Sequence, residues 1–260
     1  MPNPTVSILT ALADRSGHRL SEIHAVLAAA QADWEWLIQL DGERGIELPE
    51  AVLSDRRVAV ERNGRQLGIA TTRNRALARA TAPLLLNADS DDVPTVAALG
   101  GLMPVFADPT VGLAFGDWIE QWPDREPWTP SARFAPGRQE PGTLSRVWGA
   151  ERWVPLHLAG AMWRTDAVLA AGGWSATVGG SDIGLMLGVD AAWASVYVPV
   201  TTFTYHHHAR QVTASRDWQS QFDRDMRFLE RRQRALDLIS DSRSTASERP
   251  GEPRSRERGT

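Results

Sequence analysis

The chain has no cysteine, which excludes disulfides, thiolate nucleophiles and Cys-ligated zinc. Lysine is missing too: all 28 residues of the Lys+Arg count are arginine. A Walker A phosphate loop, a Schiff-base amine and the strand lysine of a kinase therefore have no candidate. An arginine-only basic complement fits the codon bias of a GC-rich bacterial genome. There is no long unbroken apolar run. The most apolar stretch, 96–115, is interrupted by Pro104, Asp108 and Pro109, whereas a membrane-spanning helix needs about 20 predominantly apolar residues. Met1-Pro2-Asn3-Pro4 offers no basic segment ahead of an apolar one, so no signal peptide is expected. The expected location is cytoplasmic, with no transmembrane segment. An excess of positive charge is also lacking. The formal net charge is -4, which gives no electrostatic reason to expect nucleic acid as a partner.

What is present describes a globular protein. The 260 residues are 42% hydrophobic and 23% charged, enough for one large domain with an ordinary core. Val6–Thr10 reads as a buried first strand, and Leu20, Ile23, His24, Leu27 and Ala28 recur at helical spacing. Trp34–Leu40 reads as a second strand ended by the turn dipeptide Asp41-Gly42, and Arg57–Val60 as a third. A helix is predicted from about Gln66 to Ala80 and a fourth strand over Pro83–Asn87. Pro94 is placed at a helix start, with a further strand at Val111–Phe115. This alternation predicts an α/β/α sandwich with a mainly parallel central sheet. Residues 117–157 are rich in Trp, Pro, Arg and Gly and read as loops and short strands over a site. Helical signals return over Arg164–Ala171 and after Ser181. Trp218, Phe222, Met226, Leu229 and Leu236 form the stripe of an amphipathic C-terminal helix. The tail 241–260 has little to bury and is expected to be disordered. One domain thus covers about 1–240. The oligomeric state has no signature.

In such sheets ligands bind beyond the carboxyl ends of the strands. Asp41 and Asn87-Ala88-Asp89-Ser90-Asp91-Asp92 both fall at such ends. On extended chain Asp89 and Asp91 point the same way, so they could share Mg²⁺ or Mn²⁺ with a substrate diphosphate. The alternative is a polar turn capping the next helix. Arg73 and Asn74 lie near the start of the predicted helix, where an arginine can pair with phosphate oxygens. Arg75 and Arg79 read as a solvated helix face.

Six segments in register resemble the family 2 inverting glycosyltransferases of GT-A fold. They are Val6-Ser7-Ile8-Leu9, Leu40-Asp41-Gly42-Glu43, Gly68…Thr72-Arg73-Asn74, Asp89-Ser90-Asp91-Asp92, Gly160-Ala161-Met162-Trp163-Arg164, and Gly172-Gly173-Trp174 followed by Ser181-Asp182. The resemblance spans roughly 5–210, with a donor half of about 1–116 and an acceptor half of about 117–240. It implies a GT-A (Rossmann-like) fold, a nucleoside-diphosphate sugar donor, a small-molecule or glycan acceptor and a Mn²⁺ or Mg²⁺ ion. It also implies roles. Asp41 would bind the nucleobase beside Ala11, Arg73 and Asn74 would line the nucleotide pocket, Asp89 would hold ribose or metal, and Asp91 would hold metal. Asp182 would be the general base, the alternative being an acidic residue favoured by a helix dipole. The chain departs from the family at Ala11–Arg15, where an aromatic ring is lost, and at Ser181, which replaces a glutamate. A catalytically inactive sugar-binding relative and a sugar-nucleotide nucleotidyltransferase are the other two readings.

Two further features complete the expected site. His206-His207-His208 supplies imidazoles, good ligands for Mn²⁺. His208, with His206 second, is the expected metal or diphosphate contact, against ordinary loop histidines. Seven of the eleven tryptophans lie between Trp118 and Trp174. Trp118, Trp122, Trp128 and Trp148 are candidates for the acceptor wall, while Trp163 and Trp174 read as core.

Overall fold

The run Leu84-Leu85-Leu86 shows how the protein is layered. Its residues alternate between two separate cores, Leu85 in one and Leu84 and Leu86 in the other. A strand with apolar side chains on both faces belongs in the middle of a covered sheet. The computed structural model describes residues 3–13, 18–42, 46–151, 156–157, 159–209, 211 and 218–247. The first half contains β1 (Val6–Ala13), α1 (Leu20–Ala29), β2 (Trp34–Asp41), α2 (Glu50–Leu53), β3 (Val58–Arg62), α3 (Ile69–Leu77) and β4 (Leu84–Asn87). Next come β5 (Val93–Pro94), α4 (Val96–Leu102), a 3-10 turn at Met103–Ala107, β6 (Val111–Trp122), β7 (Arg125–Trp128) and β8 (Gly137–Gln139). The rest is α5 (Thr143–Glu151), β9 (Met162–Arg164), α6 (Thr165–Ala170), α7 (Ser181–Asp190), β10 (Ala194–His206) and α8 (Trp218–Ser247).

The sheet order is β3-β2-β1-β4-β9-β6-β10-β5, with β7 on β6 and β8 on β10. Pairing is parallel for β3–β2, β2–β1, β1–β4 and β6–β10. β9 runs antiparallel between β4 and β6, so the main strands other than β9 share one direction. This is the mainly parallel α/β/α sandwich expected. α1, α2 and α4 cover one face, and α3, α5, α6, α7 and α8 cover the other. The strand order reverses at β1, which has β2 on one side and β4 on the other, and a crevice at such a point is where α/β sheets bind ligands. Among the described residues no helix is long and apolar enough to cross a membrane.

Several expectations change. Pro94 does not open a helix: it lies in β5, and Thr95 caps α4 by accepting from Ala98 N–H at 3.2 Å. The strand at Val111 does not stop at Phe115 but continues to Trp122, because β10 pairs along it with register shifts. β10, the longest strand at 13 residues, had no sequence reading, since Pro199 and three threonines obscure its pattern. Within 117–157 a helix, α5, forms around Leu144 and Trp148. Arg79 is not on a solvated face. It donates to Ile38 O at 3.2 Å and Gln39 Oε1 at 3.0 Å, whereas Arg75 is exposed as expected. The amphipathic C-terminal helix is present and runs to Ser247, so helix occupies the start of the segment expected to be disordered. The remainder, 248–260, lies outside the described residues.

Candidate active site

The carboxyl edge of the sheet carries most of the acidic residues singled out above, and one cation organises two of them. Arg73 sits in the middle of α3, its side chain only 2% exposed. Nη2 pairs with Asp89 Oδ1, just past β4, and Nη1 pairs with Asp182 Oδ1 at 2.6 Å, in the first turn of α7. The two carboxylates hold the guanidinium charged in spite of burial, pushing its pKa above its ordinary value. Burial opposes ionisation of Asp89, but Arg73 outweighs it and holds that carboxyl below the usual range. Among the described residues the Arg73 Nε has no partner. Arg73 is therefore engaged by a carboxylate at each of its two terminal nitrogens. It is a buried counter-ion that draws the end of β4 and the start of α7 together, since an unpaired buried charge would be costly.

Trp174 completes the grip on Asp182. Its Nε1–H donates to Asp182 Oδ1 at 2.8 Å. Among the described residues Oδ2 of Asp182 accepts no hydrogen bond, and 34% of the side chain is exposed. Asn74 holds Trp174 in turn. Its Nδ2 donates to Trp174 O at 2.9 Å and its Oδ1 accepts from Trp174 N–H at 2.9 Å. Both ends of the amide are engaged, so Asn74 clamps Trp174 in place. The preceding Gly173 (φ +70°) is required there, because a Cβ would lie 2.3 Å from Asn74 Oδ1.

Asp41, at the end of β2, is 6% exposed and accepts from Leu67 N–H (2.6 Å), Gly68 N–H (2.9 Å) and Asn63 Nδ2 (3.0 Å). Its carboxylate thus shapes the loop into α3. Ala11 is half-buried in β1, opposite Gln39 and one pleat below Ala13, which faces Asp41. Asp14 and Arg15, part of the departure from the family's first-strand motif, lie outside the described residues.

The second group lies where β10 ends. Asp91 Oδ2 meets His208 Nε2 at 2.9 Å, with 31% and 28% of the two side chains exposed. Sequence placed these residues in one metal site, and the fold brings them together across 117 positions. Asp92, 2% exposed, accepts from His206 N–H at 3.0 Å. Burial first, and then Asp89 and Asp91, push its carboxyl well above the usual range. His206 thus serves through its backbone, while burial lowers its imidazole pKa, and its Nδ1 has no partner among the described residues. A carboxylate and an imidazole at the surface form a donor set compatible with Mn²⁺, and with Mg²⁺ less so. Among the described residues no three His, Asp or Glu side chains form a metal cage. A substrate-shared ion needs only one or two protein ligands.

Of the predicted acceptor residues, Trp148 is misplaced. It is 1% exposed within α5 and packs in the core. Trp122 is half-buried and covered on both faces. His207 stacks on it at 4.2 Å, and the Arg125 guanidinium lies 3.8 Å from its centroid, so it has no face left for a sugar. Trp118 is half-buried beside His157 (5.7 Å) and donates to Glu120 Oε1 at 2.7 Å. Trp128 is 56% exposed, and Trp153 lies outside the described residues. The sequence reading missed Glu120, which pairs with His207, and His157, which is packed among Trp118, Phe203 and Tyr205. Burial lowers the His157 pKa, against the attraction of Asp89, Asp182 and Glu120. Neither residue has a local motif; only the long pairing of β6 with β10 brings them to the site.

Comparison with known proteins places this geometry in context. The sequence profile described as Glycosyl transferase family 2 matches residues 22–163. No curated protein matches. Among solved structures, S. aureus TarS 1-349 in complex with UDP-GlcNAc superposes with TM-score 0.64 at 14% identity, covering 86% of this chain and 65% of that one. The same fragment with UDP gives 0.57 at 15% identity, covering 79% and 61%. Full S. aureus TarS gives 0.59 at 14%, covering 79% and 37%. The likeness is one of fold, the GT-A Rossmann-like sandwich. The chain spans less than two thirds of each of these structures.

Proposed function

The chain belongs to glycosyl transferase family 2, and from that premise we propose that it moves a sugar from a nucleoside-diphosphate donor to a hydroxyl-bearing acceptor with inversion. The observation that carries the reading is the asymmetric hold on Asp182. Arg73 and Trp174 both fix Oδ1, leaving Oδ2 without a donor among the described residues on a partly exposed side chain. A base needs an orientation fixed by neighbours and one oxygen free to take a proton. In the step proposed, the acceptor hydroxyl gives its proton to Asp182 Oδ2. Its oxygen forms a bond to the anomeric carbon, and the carbon–oxygen bond to the donor's diphosphate breaks on the opposite face. The electron pair leaves on the diphosphate. One displacement at one carbon inverts its configuration.

Asp91 and His208 are the residues proposed to hold a divalent cation, Mn²⁺ or Mg²⁺, with Asp89 near it. When bound, such an ion neutralises charge on the departing diphosphate as a Lewis acid. The TarS complexes carry UDP-GlcNAc or UDP, so a UDP-linked sugar is the first donor to try. Asp41 and Ala11 border the crevice where a base would lie, and Trp118 and the exposed Trp128 are the remaining tryptophans suited to the acceptor side. Family membership leaves a nucleotidyltransferase without support. An inactive sugar-binding relative is separated from an enzyme by turnover.

The test begins with thermal shifts for UDP, GDP and dTDP with and without Mn²⁺. A ligand at a hundredfold its Kd adds about 2.7 kcal/mol, and stabilisation by one base only names the donor. Hydrolysis of UDP-GlcNAc or its counterpart is then compared in wild type, Asp91→Ala and Asp182→Ala. Turnover unchanged in both variants would mean that the site is elsewhere.

A further inference from the structure

Asp182 opens α7, and the chain before it must follow a shape that the sequence alone does not stabilise. Gly180 sits at φ +75°, and a Cβ there would lie 2.5 Å from Met226 Cε and 3.0 Å from Leu229 Cδ1. Helix α8 therefore rests directly on the backbone of this loop. It also holds the loop with two polar side chains. Asp225 Oδ2 accepts from Val178 N–H at 2.9 Å and from Gly179 N–H at 2.8 Å. Arg232 donates from Nη1 to Ser175 Oγ at 2.6 Å and from Nη2 to Ala171 O at 2.9 Å. Asp225, Leu229 and Arg232 are spaced four and three residues apart, so they share one helix face, and Leu229 between them is fully buried.

The two anchors bracket the segment that fixes Asp182. Arg232 holds the residues on either side of Gly172-Gly173-Trp174, and Trp174 Nε1 binds Asp182 Oδ1. Asp225 holds Val178 and Gly179, just ahead of Asp182. A stability role alone would need only the apolar contacts of Phe222, Met226 and Leu229, already part of the core. A carboxylate on two successive N–H groups fixes the direction of the loop, which burial of apolar area does not do.

We propose that α8 is a clasp that aims Asp182, with Asp225 and Arg232 as positioning residues that set the carboxylate through the 171–180 loop. The proposal rests on the reading of Asp182 as the base. It makes the C-terminal helix part of the catalytic apparatus without contact with substrate. Aim matters because misplacement by about 1 Å far from the chemistry can cost on the order of 10²-fold in rate.

The experiment uses the full chain, with Asp225→Ala, Asp225→Asn and Arg232→Met beside wild type. Amide hydrogen exchange is followed by mass spectrometry, together with hydrolysis of UDP-GlcNAc in Mn²⁺. Faster exchange confined to peptides covering 171–184 is expected for Asp225→Ala and Arg232→Met, with β1 to β4 unchanged. The kcat should fall about 10- to 100-fold while KM for the donor stays within about twofold. Asp225→Asn should recover most of both, because its amide oxygen can accept the same two N–H bonds. Unchanged exchange at 171–184 in the Ala and Met variants would overturn the clasp. So would a KM effect with kcat intact, or exchange that rises throughout the molecule. Wild type that turns over no UDP-, GDP- or dTDP-sugar would sink the transferase reading instead, and the exchange data would still decide the clasp.

Discussion

The carboxylates at the edge of the sheet are restrained in two different ways. On one side Asp89 and Asp182 share the buried Arg73, a cation that never gives up its proton under ordinary conditions. On the other side Asp91, Glu120 and Asp92 meet His208, His207 and the backbone of His206. The first arrangement is built on a buried, permanently charged guanidinium, suited to holding a geometry. The second can exchange its partners, because an imidazole can release a carboxylate and both can turn to a metal ion. A group that must be aimed belongs with the arginine, and a group that must open for a ligand belongs with the histidines. Asp182 is on the first side and Asp91 on the second.

That contrast can be broken most severely at Asp182. Asp182→Asn should leave the fold intact and lower transfer by about 10²–10⁴-fold, the usual contribution of a general base, measured as kcat at saturating donor. Arg73→Met comes next. It leaves Asp89 and Asp182 without their cation, and loss of one partner from a buried pair costs about 3–5 kcal/mol. The low end applies here because both carboxylates keep some solvent contact; urea unfolding would read it. A cost under about 1 kcal/mol would show that Arg73 does not organise the edge. His208→Ala should act on the other side only, weakening Mn²⁺ binding about tenfold, or 1.4 kcal/mol, by calorimetry with UDP present, with little change in unfolding midpoint.

The smallest effect is the pH dependence of stability, in which Asp89 and His157 act with the same sign but over different windows. The folded pKa of Asp89 is depressed, so its pairing stabilises the fold above the unfolded value of 3.8 and is lost only as pH falls below that. The folded pKa of His157 is lowered from 6.5, so the folded state resists a proton that the unfolded chain accepts. Its stability is fully present above 6.5 and declines as pH falls through the window below, by less than about 1.4 kcal/mol per pH unit. Unfolding midpoints at pH 7.5 and 5.5 should differ in wild type and differ less in His157→Gln. His206, lowered by burial in the same way, keeps a residue of the effect. Equal dependence in wild type and variant would remove His157 from that account.

Much of the donor half was legible in the sequence. β2 and β4 are short apolar runs ended by Asp41-Gly42 and Asn87, and helical spacing marked α1 and α3. The acceptor half was not. Trp148 read as a site residue because its flanks are polar, but α5 turns it into the core. Trp122 read as a free stacking face because nothing local announces that His207 and Arg125 cover it. Pro94 read as a helix start, yet a two-residue pairing with β10 places it in a strand.

By itself the sequence determined the period of the early elements, the acidic ends of β2 and β4, and the residue types able to bind a diphosphate or a metal. These depend on neighbours within a turn or a pleat, which spacing records. Only the tertiary structure decided what each charge is for. Arg73 reaches Asp182 across 109 positions and Asp91 reaches His208 across 117, and no local pattern encodes a contact at that separation. Arg73 became the counter-ion of two carboxylates, and Asn74 the clamp on Trp174. The cause is the same for both. In the packed interior each polar group needs a partner, and the partner is chosen by the elements that the sheet brings together.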